Sequence, residues 1–132
     1  MQIQKAQRKR AKLRLGIAAP SGAGKTYSAL LMAFGLGGKI GLIDTEHGSG
    51  HLYAHLGDYD VIAIDAPYTV AKYTQAIKAF EDAGYQTIII DSLSHAWAGD
   101  GGLLDKQGKM ADRGTNSFAA WRTAAPEPNA LV

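Results

Sequence analysis

The stretch Leu13–Thr26, LRLGIAAPSGAGKT, decides how this chain is expected to fold. Its first half, Leu13–Ala18, alternates and predicts a strand. Its second half, Ala19–Thr26, is a glycine-bearing loop ending in Gly-Lys-Thr. From Lys25 the period changes, with Tyr27, Leu30, Leu31 and Phe34 on one helical face, and Gly35, Gly37 and Gly38 end that helix. A strand that runs through such a loop into a helix brings converging backbone N–H groups, and the positive end of the helix, onto an anion.

The loop departs at one place from the Walker-A pattern Gly-x4-Gly-Lys-[Ser/Thr], because Ala19 stands where the first glycine usually does. Alanine suits that position if its φ stays negative, and Pro20 favours an extended residue before it. Pro20, Ser21, Gly22, Ala23, Gly24, Lys25, Thr26 and Tyr27 are therefore expected to bind nucleotide phosphates. Gly22 and Gly24 permit the close approach, and the Lys25 ammonium reaches the β- and γ-phosphates. The Thr26 hydroxyl is placed for Mg2+.

Three short apolar runs follow, Ile40–Ile43, Val61–Ile64 and Thr87–Ile90, and each ends in aspartate: Asp44, Asp65 and Asp91. Near-continuous apolar runs predict parallel strands buried on both faces. Val70, Tyr73, Ile77 and Phe80 give helical spacing before Gly84, residues 49–57 a shorter helix, and Phe118–Ala125 a helix halted by Pro126. Alternating strand and helix imply an α/β fold, a doubly wound parallel sheet with helices on both faces and its ligand at the C-terminal strand ends.

Nucleotide hydrolysis asks for a carboxylate on the metal side and another beside the attacking water. Asp91 in TIIIDS is the expected metal-side group, in the Walker-B arrangement. Glu46 in IGLIDTEHGSG is the expected base, with Asp44 alternating beside it, and Asp65 is expected to cap its own loop.

The 132 residues fit one domain, with 46% hydrophobic and 20% charged residues and no cysteine, which excludes disulfides and thiolate metal sites. No apolar run approaches the roughly 18–20 residues of a membrane span, so a cytoplasmic protein is expected. Residues 1–12 read as a basic arm on a core spanning residues 13–132. Lys5, Arg8, Lys9, Arg10, Lys12 and Arg14 come with no acidic neighbour, although the whole chain is only +2.

With those residues in view, GLIDTEHGSGHLYAHLGDYDVIAIDAP and TIIIDSL resemble the ATPase core of RecA-type recombinases. More closely, GIAAPSGAGKTYSALLMAFGLGGKIGLIDTEHGSGHLYA and IIIDSLSHAWAGDGGLLDKQGKMADRGTNSFAAWR resemble the bacteriophage AAA-family ATPases of phage recombination and single-strand annealing. The likeness covers roughly residues 11–132. It implies a RecA-like P-loop fold, ATP and Mg2+ as ligands, and ATP binding by Gly22, Gly24, Lys25 and Thr26. Further implications are metal coordination through Asp91, Glu46 as general base with Lys25 stabilising charge, and Ser92 near the metal or the water. Single-stranded DNA and further copies of the chain are the implied partners, in a bacterial host cell. RecA-like cores carry another strand between the Walker-A and Walker-B strands, and the sheet here is expected to lack it, as a partial core truncated after the Walker-B strand and the helix that follows.

Lys106, Lys109 and Arg113 are candidate DNA contacts, although Asp105 and Asp112 interleave with them. Trp97 is expected to anchor its loop on the core, with base stacking as the alternative. His47, His51 and His55 recur every four residues, but Gly48 and Gly50 interrupt the helix that would align them for a metal. Two other functions fit the motifs: a nucleotide-gated DNA-binding module with little hydrolysis, and a small-molecule P-loop kinase. The second is disfavoured because only Arg113 and Arg122 lie beyond residue 14 to form a cationic lid.

Overall fold

At the centre of the computed structural model, which describes residues 1–8 and 11–112, lies a three-stranded parallel sheet. Its strands are β1 (Ile40–Asp44), β2 (Asp60–Ala63) and β3 (Thr87–Asp91), in the spatial order β2–β1–β3. Helices α1 (Lys25–Leu36), α2 (Val70–Asp82), α3 (Ser94–Ala98) and α4 (Leu103–Asp112) complete the elements, with single 3-10 turns at Ser49–His51 and Ala54–Leu56. This is the expected α/β architecture of a P-loop core. Residues 49–57 form those two turns rather than one helix.

Strand register sets up the site. Asp44 pairs with Asp91 across β1 and β3, and Ile43 pairs with Ile90 and with Ile62. Because parallel partners project to the same face, Asp44 and Asp91 share one face with Leu42 and Ile89, while Gly41, Ile43, Ile88 and Ile90 share the other. On the second face Ile43 joins Ile64, Tyr68, Tyr73, Ala76, Phe80 and Ala96 in the main core. Helix α2 covers it with a stripe of Val70, Tyr73, Ala76 and Phe80, begun by Thr69, whose hydroxyl accepts from the Lys72 N–H at 3.4 Å. Gly41 lets that helix sit close, since a Cβ there would lie 2.6 Å from the Phe80 ring.

Complete burial on both faces holds for β1 alone; β2 and β3 are the sheet's two edges and are only partly covered. The largest departure concerns Leu13–Ala18, which is not a strand. Leu13, Leu15 and Ile17 are 68%, 58% and 39% exposed. Alternation marks which side chains a strand would bury, but a strand also needs a hydrogen-bonded edge, and β3 pairs on one side only, with β1. The buried stripe of α1 is also rotated from the expected one: Leu30 and Ala33 are buried, while Tyr27 and Leu31 are exposed.

The segment after β3 contains the short helices α3 and α4. Trp97 lies on α3 rather than on a loop and is 48% exposed, so it is half covered and not a buried core residue. Ala96 is the buried residue of that helix. Arg113 and the Phe118–Ala125 segment lie outside the described residues. No helix among the described residues is long and apolar enough to cross a membrane.

Candidate functional site

The glycine-bearing loop turns tightly enough for Ala23 N–H to donate to the Pro20 carbonyl at 3.2 Å. Gly22 and Gly24 take the left-handed φ values of 79° and 90° that other residues resist. Ala19 is not among the positive-φ residues, so alanine satisfies the backbone at the position where the motif departs. Gly24 also caps α1 without any side-chain bond, which leaves the first-turn N–H groups of that helix directed at the loop. Lys25 folds its ammonium back over the loop, donating to the carbonyls of Ala19 at 2.7 Å and Pro20 at 3.1 Å. Pro20, Ser21, Gly22, Ala23, Gly24, Lys25, Thr26 and Tyr27 thus form one continuous surface at the start of α1.

Thr26, in the first turn of α1, donates from its hydroxyl to Asp91 Oδ2 at 2.5 Å. The expected metal pair is thereby in direct contact at the C-terminal edge of the sheet. A hydroxyl and a carboxylate are hard oxygen donors of the kind Mg2+ prefers, so the donor set fits that ion. Among the described residues no group of three or more His, Cys, Asp or Glu gathers at a metal-holding distance. Mg2+ characteristically takes only one or two protein oxygens and completes its shell with phosphate and water.

Asp44, alternating with Glu46 and expected beside it, has a different job. It is 2% exposed and accepts three backbone N–H bonds: from Glu46 at 2.7 Å, Gly48 at 3.0 Å and Gly50 at 3.1 Å. Its charge is spent on shaping the loop that carries Glu46. That loop includes His47 at φ 53°, a left-handed value rare outside glycine. Asp65, expected to cap its own loop, instead lies exposed with a carboxylate oxygen 3.8 Å from His47 Nδ1.

Glu46 itself comes to the β3 end. Its Oε1 accepts from the Ser92 hydroxyl at 3.1 Å, and Ser92 follows Asp91 through a cis peptide. Thr45, completely buried, holds the two strand ends together. Its N–H donates to the Asp91 carbonyl at 2.8 Å, and its hydroxyl accepts from the Ser92 N–H at 2.9 Å. Tyr73 donates to the Ser92 carbonyl at 3.0 Å from α2, and burial pushes its phenol above the ordinary value against the opposing bond with Thr45.

Three participants were not foreseen from the sequence. Thr45 and His95 carried no motif of their own, although Thr45 sits between two singled-out acids and His95 within the distinctive Asp-Ser-Leu-Ser-His run. Tyr53 packs edge-on to Tyr27 with ring centroids 5.9 Å apart, which puts an aromatic pair beside the phosphate loop. Helix α4 carries Lys106 and Lys109 away in sequence from these groups, and Arg113 falls beyond the described residues.

Searches of curated proteins and of solved structures each returned no match to the chain. A family model described as an AAA domain matches residues 11–132, from just before the loop to the last residue. Its span takes in the phosphate loop, both acidic strand ends and all three strands. The chain belongs to this AAA-type P-loop ATPase family.

Proposed function

We propose that the chain is an ATP-binding, Mg2+-dependent RecA-like ATPase that acts on single-stranded DNA in phage recombination. The observation that carries the nucleotide part is the Thr26–Asp91 contact at the head of α1, with Glu46 held one residue further on at Ser92. In this reading the triphosphate lies along residues 20–27, with its γ-phosphate near the β1 and β3 ends. Lys25 exchanges the loop carbonyls for phosphate oxygens, and one ring face of the edge-on Tyr27–Tyr53 pair is available to the base. Mg2+, held by Thr26 and Asp91, supplies charge neutralisation of the phosphate oxygens.

Glu46 takes a proton from a water whose oxygen bonds to the γ-phosphorus as the bond to the β,γ-bridging oxygen breaks. ADP and phosphate are the products. Lys25 offsets the negative charge that develops, joined in a homo-oligomer by a basic group of a neighbouring copy. The DNA part rests on the resemblance to phage recombination ATPases and on the exposed Lys5, Arg8 and Lys12 of the N-terminal arm.

A nucleotide-gated DNA-binding module with little turnover is the second reading. It is favoured by the placement of Leu13–Ala18 outside the sheet, which leaves the loop anchored on one side only. Phosphate release measured with and without single-stranded DNA separates the two. DNA-stimulated release supports the ATPase, and ATP-dependent DNA binding without release supports the module. A rate that rises more than linearly with protein concentration is expected if copies share the site.

A further inference from the structure

We propose that His95 is a positioning residue that fixes the carboxylate of Glu46, an inference that rests on the reading of Glu46 as the base. Glu46 is 43% exposed along its side chain, and its bond from Ser92 comes from a hydroxyl that rotates freely. His95 is the more rigid neighbour. Its Nδ1 lies 3.6 Å from Glu46 Oε1 and 2.9 Å from Thr45 Oγ1. Its ring stacks on Tyr68 at 4.6 Å between centroids and 24° between planes. Tyr68 is 5% exposed and is itself held by its N–H bond to the Asp100 carbonyl at 2.6 Å. The imidazole is thus clamped on its face by one buried residue and at its edge by another.

Hydrogen-bond bookkeeping gives the tautomer. A lone pair on Nδ1 would face a carboxylate oxygen, whereas an Nδ1–H faces both that oxygen and the Thr45 hydroxyl favourably. Thr45 then has the Asp91 and Ser92 carbonyls, at 3.2 and 3.3 Å, to receive its own hydrogen. Ser92 donates to Oε1, and the His95 Nδ1–H faces the same oxygen at electrostatic rather than hydrogen-bond distance, which leaves Oε2 without a partner from either residue and assigns to it the proton from water. Restricting the carboxylate in this way matters because small misplacements of a reacting group are costly.

The test compares two variants of the full chain. His95→Phe keeps the stack on Tyr68 and removes Nδ1; His95→Asn loses the ring and places an amide nitrogen where Nδ1 was. The expected result for His95→Phe is a fall in kcat of about ten- to a hundredfold, with KM and Mg-ATP affinity within about twofold of the unmodified chain. His95→Asn is expected to recover most of the rate. Unchanged kcat in His95→Phe, or equal losses in both variants, overturns the inference, since equal losses report ring packing alone. Glu46→Gln run in parallel keeps the two ideas apart. Turnover that survives Glu46→Gln overturns the reading of the base and this inference with it. Turnover lost in Glu46→Gln but kept in His95→Phe overturns this inference alone. Should His95→Phe not fold, His95→Leu replaces it in the same comparison.

Discussion

The Thr26 hydroxyl meets the Asp91 carboxylate at 2.5 Å although 65 residues separate them, and this bond ties the first turn of α1 to the end of β3. It joins the two motifs that in sequence are only neighbours by inference. Asp91→Asn keeps the shape and removes the charge proposed to draw Mg2+. Mg-ATP affinity, titrated calorimetrically, is expected to weaken by more than about tenfold, the low end of what even an indirect metal partner is worth. ATP measured in EDTA should bind the variant and the unmodified chain alike. Equal loss in both conditions would point to a folding defect instead.

Asp44→Asn probes the loop that presents Glu46. Both carboxylate oxygens of Asp44 accept backbone N–H bonds, so an amide necessarily turns its NH2 toward at least one donor. One charge-assisted bond of this type contributes about 1.5–3 kcal/mol, and the variant is expected to lose at least that in denaturant unfolding. Its ATPase rate should fall as well, because the loop no longer fixes the position of Glu46.

How much of this was legible beforehand differs from residue to residue. The strands Ile40–Asp44 and Thr87–Asp91 were visible because buried parallel strands leave uninterrupted apolar runs, and α1 and α2 because helical period and glycine stops coincided. Leu13–Ala18 had the right alternation yet stays unpaired although β3 keeps a free edge, because alternation specifies a burial pattern and not a pairing partner. Glu46 was singled out as the base, but the sequence assigned no separate job to Asp44, an acid two residues away. Only burial separates them, making Asp44 a backbone acceptor and leaving Glu46 partly in solvent. His95 was missed because its significance lies in contacts with Thr45, just past β1, and Tyr68, in the loop before α2.

Gly41→Ala tests the packing that brings α2 onto β1. A Cβ would sit 2.6 Å from the Phe80 ring, so the ring or the helix must move. Overpacking of this kind costs about 1–3 kcal/mol. Thermal unfolding should report a lower midpoint, while Mg-ATP affinity measured below that midpoint stays unchanged, since the phosphate loop lies across the sheet.

Tyr73 gives an expectation for alkaline pH. Burial raises its phenol above the unfolded value of 10.0, so its contribution is complete below pH 10 and is lost as pH rises through the folded value. Chemical denaturation midpoints should therefore drop above pH 10. Tyr73→Phe should show a shallower drop, from a starting stability lower by about 1 kcal/mol for the missing bond to the Ser92 carbonyl.

Glu46, brought to the β3 end beside Ser92, is proposed to activate the water that cleaves a triphosphate seated on the α1 loop. Steady-state phosphate release by Glu46→Gln, with ATP affinity measured on the same sample, addresses it most directly. The expected result is a loss in kcat of at least about a hundredfold, the low end for a general base, with ATP affinity preserved. Equal turnover in the variant and the unmodified chain would contradict it.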